Sequence, residues 1–332
     1  MKVLITGAAG FIGSYLFRAF EREGHEVLGI DNFNNYYDHN LKKLRVLNLI
    51  REASEDKIFN IDIKNLKALE SIFEKNKFEV IIHLAAQAGV RLDASQYVDS
   101  NVTGFLNVIK CAENYGVKNF LFASSSSVYG AFSKVPYKEE ESNLQPSSFY
   151  GLTKKLNEDC CQILTKKSSL KMRALRFFTV YGPWGRPDMA YFRLVSAALN
   201  DHEFRLFGDG QIERDFTYVE DVAEIVLDLT MELFSRSETA FFDKVNIGGA
   251  RPLSIKFLVH EIEKQTGKAI KIIKAERNLA DVQRTEASKE YLYQLLGQRN
   301  YLKLEDGITK ILNWANSSDV KKNLSTWVKS TN

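Results

Sequence analysis

Tyr150 and Lys154 are one helical turn apart in the segment Tyr150-Gly-Leu-Thr-Lys154. On a helix, the phenol and the ammonium group project from the same face. We expect the lysine to lower the pKa of the tyrosine, because an opposite charge stabilises the phenolate. A tyrosine that exchanges protons near neutral pH can act as a general base for an alcohol. A surface pair on an amphipathic helix has the same spacing, so the interpretation needs support from elsewhere in the chain.

A glycine-rich turn near the amino terminus provides this support. The apolar residues 3–5 predict a buried strand, and residues 11–20 have the apolar spacing of a helix. Between them, Gly7, Gly10 and Gly13 allow a sharp turn, with the spacing G-x-x-G-x-x-G rather than G-x-G-x-x-G. A strand, a turn and a helix in this order place unpaired amide groups where a pyrophosphate binds. The turn therefore predicts a dinucleotide site.

Asp31 follows the second predicted strand and indicates which dinucleotide binds. A carboxylate at this place binds the hydroxyl groups of an adenosine ribose and repels a 2′-phosphate. The next residues, Asn32 and Phe33, supply no cation that would attract such a phosphate. We therefore expect NAD rather than NADP.

Alternating strands and helices predict an α/β fold with a Rossmann-type, doubly wound parallel sheet. The predicted strands are residues 2–6, 26–30, 57–61, 79–84, 118–123 and 172–178, and the predicted helices are residues 11–22, 64–75, 98–115 and 148–166. Ligands of such sheets bind beyond the carboxyl ends of the strands. The glycine-rich turn, Asp31 and the serine run 124–127 all follow strands, so we expect them on one rim of the sheet.

The pattern becomes less regular after residue 178, which indicates a second, smaller domain. We expect an NAD-binding domain of residues 1–178, to which residues 215–247 return, and a mixed α/β domain of residues 179–332 that binds the substrate. The predicted helix 98–115 is apolar on more than one side. A helix that covers a sheet needs only one apolar stripe, so the excess indicates either a subunit partner or deep burial.

Composition argues against several classes of protein. The chain has 332 residues, 26% of them charged, and a formal net charge of +3, which does not indicate nucleic-acid or membrane binding. No apolar run approaches the roughly 18 residues of a membrane span. The cysteines are Cys111, Cys160 and Cys161, a pattern that fits neither a disulfide framework nor a zinc site. We expect a cytoplasmic protein without a metal.

Four segments resemble the extended short-chain dehydrogenase/reductases, in the branch of NAD-dependent nucleotide-sugar epimerases and dehydratases. They are residues 31–38 (DNFNNYYD), 83–91 (HLAAQAGVR), 123–130 (ASSSSVYG) and 176–190 (RFFTVYGPWGRPDMA). Within that branch the chain is most similar to the uronate 4-epimerases, which act on UDP-glucuronate. The resemblance covers essentially the whole chain. It implies NAD as cofactor, a UDP-sugar as substrate, a homodimer and a place in polysaccharide biosynthesis.

The resemblance also implies roles for individual residues. The implied cofactor-binding residues are Gly7, Gly10, Phe11, Ile12, Gly13, Asp31, Asn32, Asp62, Ile63, Ala85, Ala86, Gln87, Tyr150 and Lys154. The implied catalytic residues are Tyr150 as base, Lys154, which binds the nicotinamide ribose and tunes the base, and the hydroxyl groups of Ser125 and Ser127. The implied substrate-binding residues are Arg91, Ser125, Ser126, Ser127, Tyr150, Thr179, Arg186, Arg214, Arg277 and Asp281.

Ser126 and Ser127 distinguish between the reactions of this branch. Related dehydratases carry an acidic pair here and decarboxylases usually carry a glutamate, because an acid must move a proton. Two serines favour oxidation at carbon 4, rotation of the keto sugar and re-reduction from the opposite face. Arg91, Arg186 and Thr179 are candidates for holding the uronate carboxylate so that carbon dioxide is not lost.

Several alternatives stay open at this point. One alternative is a different nucleotide sugar as substrate, and another is epimerisation at carbon 3 or carbon 5 of the sugar. A decarboxylase or dehydratase of the same branch would release carbon dioxide or water. A redox sensor would bind the dinucleotide without turnover, although such sensors tend to lack the Tyr150/Lys154 pair.

Overall fold

A computed structural model describes residues 1–50, 56–89, 93–276 and 282–331. The strands are β1 Lys2–Thr6, β2 Glu26–Asp31, β3 Ile58–Asn60, β4 Val80–His83, β5 Asn119–Ser125, β6 Lys171–Phe177, β7 Thr179–Tyr181, β8 Glu203–Phe207, β9 Glu213–Tyr218, β10 Phe241–Ile247, β11 Pro252–Ser254 and β12 Lys271–Ala275. The helices are α1 Phe11–Arg22, α2 His39–Arg45, α3 Leu66–Lys75, α4 Ala94–Tyr97, α5 Phe105–Asn114, α6 Phe149–Leu164, α7 Ala190–Asn200, α8 Val219–Ser235, α9 Ile255–Thr266, α10 Glu290–Leu296, α11 Leu304–Ala315 and α12 Ser318–Lys329.

The largest sheet has seven strands in the order β10-β6-β5-β4-β1-β2-β3. Each neighbouring pair in it is parallel. The direction of winding reverses between β1 and β4, so the crevice for a ligand opens at the carboxyl ends of these two strands. The predicted Rossmann-type fold is therefore confirmed, as are the six predicted strands, with small shifts at their ends.

Local capping explains where the predicted helices begin. Asn65 accepts a hydrogen bond from the Ala68 amide group at 3.2 Å and starts α3, and Ser148 caps α6 in the same way through Gly151 at 3.1 Å. The predicted helix 98–115 begins earlier than expected, at Ala94. A π-helical stretch, Val98–Gly104, joins α4 to α5.

The chain after residue 178 is more regular than its sequence suggested. β7, β9 and β11 form a three-stranded sheet, and β8 pairs with β12. β10 adds the seventh strand to the large sheet beside β6. α8 packs against α1, and the ion pair between Arg18 and Glu220, with 2.7 Å between Nη2 and Oε1, joins the two helices.

One face of α5 and α6 is buried, and the exposed surface of both helices also carries apolar side chains. Phe105, Val108 and Ile109 of α5 belong to the core beneath the sheet. Six apolar side chains on α6 and on the segment from Val98 to α5 are exposed, Ile163 to 64% and Leu152 to 49%. The six are Val98, Leu106, Phe149, Leu152, Leu156 and Ile163. Deep burial thus accounts for only part of the excess apolar surface.

None of the helices in the described ranges combines the length and the apolar character needed to cross a lipid bilayer.

Candidate active site

A cleft of about 2150 Å³ opens where the carboxyl ends of the parallel strands face the smaller sheets. It brings together most of the residues that the sequence predicted. Those that line it are Gly7, Gly10, Phe11, Ile12, Gly13, Asp31, Asn32, Ile63, Ala85, Ala86, Gln87, Ser125, Ser126, Ser127, Tyr150, Lys154, Thr179, Arg186 and Arg214.

Four predicted residues are not among the lining residues. Asp62 lies beside the cleft, where its Oδ2 accepts a hydrogen bond from the Asn32 side chain at 3.1 Å. Arg91, Arg277 and Asp281 lie outside the residues that the structure describes.

The glycine-rich turn has the shape that a dinucleotide diphosphate requires. Gly7 has φ +71°, in the left-handed region that favours glycine. A Cβ on Gly13 would collide with the Gly7 carbonyl oxygen. The turn is therefore open only because these side chains are missing, and the amino terminus of α1 faces the cleft. Free amide groups and the positive end of the helix dipole fit a pyrophosphate here.

A cation that the sequence interpretation missed lies at Asp31. Lys42 on α2 is buried, and its Nζ lies 3.4 Å from Asp31 Oδ1 and 3.2 Å from Asn34 Oδ1. Asn32 and Phe33 supply no cation, as the sequence indicated, but Lys42 brings one to Asp31 from the next helix. Asp38 caps α2 through the Asn40 amide group, and this cap was the available signal that a helix places Lys42 near Asp31.

The loop after β4 forms the floor of the cleft. The Thr6 hydroxyl accepts a hydrogen bond from the Ala85 amide group at 3.1 Å. Asn101 binds both backbone groups of Gln87, at 2.7 and 3.1 Å, and also donates to the Thr153 hydroxyl on α6. The loop that would lie beneath a cofactor is therefore fixed to the helix that carries Tyr150.

Helix α6 approaches the serine run closely because residue 151 is glycine. A Cβ on Gly151 would lie 2.5 Å from the Ser127 carbonyl oxygen. Ser125 accepts a hydrogen bond from the Ser127 amide group at 3.1 Å, and its Oγ lies 3.2 Å from Ser127 Oγ. Tyr150 is close enough to Ser125 for a hydrogen bond that stabilises the phenolate. The phenol and the two hydroxyl groups form one cluster.

Arg186 acts on the charge of Tyr150, in addition to the lysine that the sequence predicted beside it. Burial raises the pKa of Tyr150, and Arg186 and the hydrogen bond from Ser125 oppose this rise, whereas Tyr97 adds to it. The Lys154 ammonium lies 5.7 Å from the centre of the Tyr150 ring and donates to the Ala123 carbonyl oxygen at 2.8 Å. Burial lowers the pKa of Lys154 to about 8. Arg186 is therefore a cation that favours the phenolate here, and the role of Lys154 stays a prediction.

Arg186 is held in place by two residues that the sequence interpretation did not select. Asp188 accepts hydrogen bonds from Arg186 Nε at 3.0 Å and from Nη2 at 2.5 Å. Tyr36 donates to Asp188 Oδ2 at 3.1 Å, and the Arg186 guanidinium lies 5.7 Å from the centre of its ring. Both residues fall in segments 31–38 and 176–190, but only the folded chain brings them together.

A buried ion pair contacts the first residue of the serine run. Glu158 forms a two-point contact with Arg176, at 2.9 and 2.7 Å, and accepts a hydrogen bond from the Ser124 hydroxyl at 2.5 Å. Glu158 follows Lys154 by four residues, as Lys154 follows Tyr150, so the three side chains lie on one face of α6.

The opposite wall of the cleft comes from the smaller sheets. Thr179 begins β7 directly after β6, and Arg214 lies on β9. Arg214 Nη1 donates to the carbonyl oxygens of Glu213 and Val282, both at 2.9 Å. Among the described residues, no group of three or more histidine, cysteine, aspartate or glutamate side chains is arranged to hold a metal ion.

Comparisons with known proteins agree on one family. Residues 3–248 match the model of the NAD dependent epimerase/dehydratase family. The UDP-glucuronate 4-epimerase of Thermodesulfobacterium geofontis is 37% identical, over 94% of this chain and 95% of that protein.

Solved structures show the same similarity in three dimensions. The UDP-glucuronic acid 4-epimerase of Bacillus cereus, in complex with UDP-glucuronic acid and NAD, has a TM-score of 0.86 and 31% identity, covering 97% of this chain and 99% of that one. The UDP-glucose 4-epimerase of Thermus thermophilus, in complex with NAD, has a TM-score of 0.82 and 26% identity, covering 96% and 100%.

The pairing of Lys42 with Asp31 leads to a prediction about cofactor choice. Replacing Asp31 with Asn removes the charge that repels a 2′-phosphate and leaves Lys42 as a cation for it. We expect the Asp31→Asn variant to gain affinity for NADP, on the order of tenfold. Titration of cofactor-free protein with NAD and NADP measures the change.

The double variant Asp31→Asn/Lys42→Met is the matched control for this prediction, and it should lose the gain. An Asp31→Asn variant that binds NADP as weakly as the parent protein would contradict the role given to Lys42.

Proposed function

The chain belongs to the NAD dependent epimerase/dehydratase family, and we propose that it epimerises UDP-glucuronate at carbon 4, giving UDP-galacturonate. The observation that carries this proposal is the position of Tyr150, in one cleft with Ser125 and Arg186 and next to a turn shaped for a dinucleotide. The relatives that bear this activity in their names support the choice of substrate.

Tyr150 is the base and acid of the proposed reaction. Its phenolate takes the proton from the 4-hydroxyl group as the hydrogen on carbon 4 leaves as a hydride, and later returns the proton to the epimer. NAD, when bound, accepts this hydride and gives it back. Ser125 donates a hydrogen bond to the oxygen on carbon 4 as it becomes a carbonyl. The Ser127 hydroxyl lies next to Ser125 and supports the same oxygen.

The cofactor is held by residues on the rim of the large sheet. We assign the pyrophosphate to the turn of Gly7, Gly10 and Gly13, and the adenosine ribose to Asp31 with Lys42. Lys154 is buried and directed to the Ala123 carbonyl oxygen, next to the expected nicotinamide ribose. Residues 1–178, with the returning segment up to residue 247, form the NAD-binding domain in this proposal.

Residues 179–332 hold the nucleotide sugar in the same proposal. Arg214 is on the wall opposite Tyr150 and binds the diphosphate, which keeps the sugar anchored while its ring rotates. Arg186 and Thr179 bind the uronate carboxylate. A 4-keto uronate loses carbon dioxide when the carboxylate bond aligns with the carbonyl π system, so these contacts must keep that bond out of line.

Replacing the base gives the first test. In the Tyr150→Phe variant we expect turnover to fall roughly 10²- to 10⁴-fold, because no other group replaces the phenolate, while NAD stays bound. Interconversion of UDP-glucuronate and UDP-galacturonate is measured by chromatography, and NAD is measured after denaturation. Tyr115→Phe, at the residue that follows α5, is the control. Unchanged turnover in Tyr150→Phe would refute the assignment, and a pentose product from the parent protein would indicate a decarboxylase.

Arg186 gives a test that depends on pH. The rate rises as pH increases through the pKa of Tyr150, since the phenolate is the active form. Arg186 lowers that pKa, so Arg186→Gln should raise it and move the acidic limb of the kcat profile to higher pH. On that limb the rate follows the fraction of phenolate, so a tenfold smaller fraction gives a rate about tenfold lower.

The same variant should also release part of its product as carbon dioxide and a UDP-pentose, because the carboxylate loses a contact. Arg18→Gln, on the outer side of α1, serves as control. An acidic limb at its original pH in Arg186→Gln would contradict the role given to this cation.

The exposed apolar face of α5 and α6 supports a homodimer. Its six apolar residues are carried by α6 and by the stretch from Val98 into α5, α6 packs on the Val98–Gly104 segment, and exposed apolar surface of this kind is typical of an interface. A two-fold axis lets one self-complementary face cover both copies. The occupant that we propose is therefore a second copy of this chain.

Charged substitutions on this face test the dimer. We expect Leu152→Glu/Ile163→Glu to shift the mass measured by light scattering from a dimer to a monomer, because like charges would be buried against each other. Met231→Glu, at an exposed apolar site on α8, should leave the mass unchanged. A parent protein that elutes as a monomer would contradict the proposal.

Two further predictions from the sequence stay predictions. They are the cytoplasmic location, expected from the three free cysteines, and a place in polysaccharide biosynthesis, which the resemblance implies.

A further inference from the structure

The loop of residues 182–185, which directly precedes Arg186, is held by its backbone carbonyl groups. The Tyr191 hydroxyl group donates to the carbonyl oxygen of residue 182 at 3.4 Å, and the Tyr15 hydroxyl group donates to that of residue 183 at 3.0 Å. Arg45 donates to the carbonyl oxygen of residue 184 through Nε at 2.7 Å and to that of residue 185 through Nη2 at 2.8 Å. Four successive carbonyls therefore have side-chain donors from three separate helices.

Arg45 is a fully buried cation whose partners are neutral. It has no exposed surface, and its remaining donor, Nη1, reaches the Ala9 carbonyl oxygen at 3.4 Å and the Tyr37 hydroxyl group. Within the described part of the chain, no ion pair joins Arg45 to a carboxylate. Burying a charge without a counter-ion is costly, and hydrogen bonds to these oxygens offset the cost only in this one geometry.

The loop needs such support because its backbone is strained. Trp184 has φ +61°, in the left-handed region that a bulky residue rarely adopts. Strain of this kind persists only where the surroundings fix it. Arg45 binds the carbonyl of this residue and that of Gly185, which immediately precede Arg186.

We propose that Arg45 is a positioning residue that fixes the 182–185 loop against the glycine-rich turn, and so keeps the Arg186 guanidinium in place in the cleft that Tyr150 also lines. The contact with Ala9 lies in the cofactor turn and the contacts with Trp184 and Gly185 lie in the substrate loop. The Arg45 side chain thus joins the glycine-rich cofactor turn to the loop that precedes Arg186. This inference rests on the proposed function and adds a residue that the reaction does not touch.

The test is the Arg45→Lys variant, which keeps the charge but cannot span both loop carbonyls. We expect kcat with UDP-glucuronate to fall on the order of 10- to 100-fold, a loss typical of a small displacement in an active site. NAD content should stay close to that of the parent protein, because the Ala9 contact is the longest of the set. The acidic limb of the kcat profile should move to higher pH, as in Arg186→Gln.

Arg173→Lys is the matched control, since Arg173 is equally buried but pairs with Glu232 and Asp243 behind β6. Both variants should lose thermal stability, but only Arg45→Lys should change the pH profile. The double variant Arg45→Lys/Arg186→Gln should be no slower than Arg186→Gln alone, because both changes remove the same interaction. Additive losses would overturn the proposal.

Other outcomes are equally decisive. If Arg45→Lys and Arg173→Lys have the same kcat per NAD-loaded enzyme and an unchanged pH profile, Arg45 is merely structural and the inference is wrong. If Arg45→Lys does not fold, Tyr15→Phe removes one donor to the loop and must show a weaker shift of the same sign; no shift would overturn the inference. A parent protein without epimerase activity would overturn the proposed function, and this inference with it.

Discussion

The close approach of α6 to the serine run is the constraint on which the whole site depends. Only a glycine at position 151 allows the helix to lie this near the Ser127 carbonyl oxygen, and the approach brings the Tyr150 phenol to Ser125. It also removes the phenol from most of the solvent, and this desolvation raises its pKa and leaves a smaller fraction of it as phenolate at neutral pH. A nearby cation opposes this rise in pKa, and Arg186 is one that does so.

Arg186 can oppose the rise in the pKa of Tyr150 only while its guanidinium group is fixed in position. Asp188 and Tyr36 fix its head group, and the side chains of α1, α2 and α7 fix the backbone before it. The pairing with Asp188 also neutralises part of the charge of Arg186. The 182–185 loop, Arg186 and Tyr150 thus depend on one another, and the strained backbone at Trp184 belongs to this arrangement.

Local patterns in the sequence were enough to predict the sheet, the glycine-rich turn and the Tyr150/Lys154 helix, because each depends on spacing within a few residues. The cations at the critical places were harder to predict. Lys42 reaches Asp31 from the next helix, and Arg186 reaches Tyr150 from a loop beyond β7. Their positions follow from long-range packing, so the sequence alone placed neither Arg186 near the base nor Lys42 near the ribose.

The central claim is that a hydride leaves carbon 4 of the sugar and returns to the same carbon. The most direct measurement is to incubate the NAD-loaded protein with UDP-glucuronate that carries deuterium at carbon 4, in ordinary water, and to locate the label in the product. We expect UDP-galacturonate with deuterium kept at carbon 4 and a slower rate than with the unlabelled sugar. Epimerised product whose label has exchanged with water, or product changed at a different carbon, would contradict it.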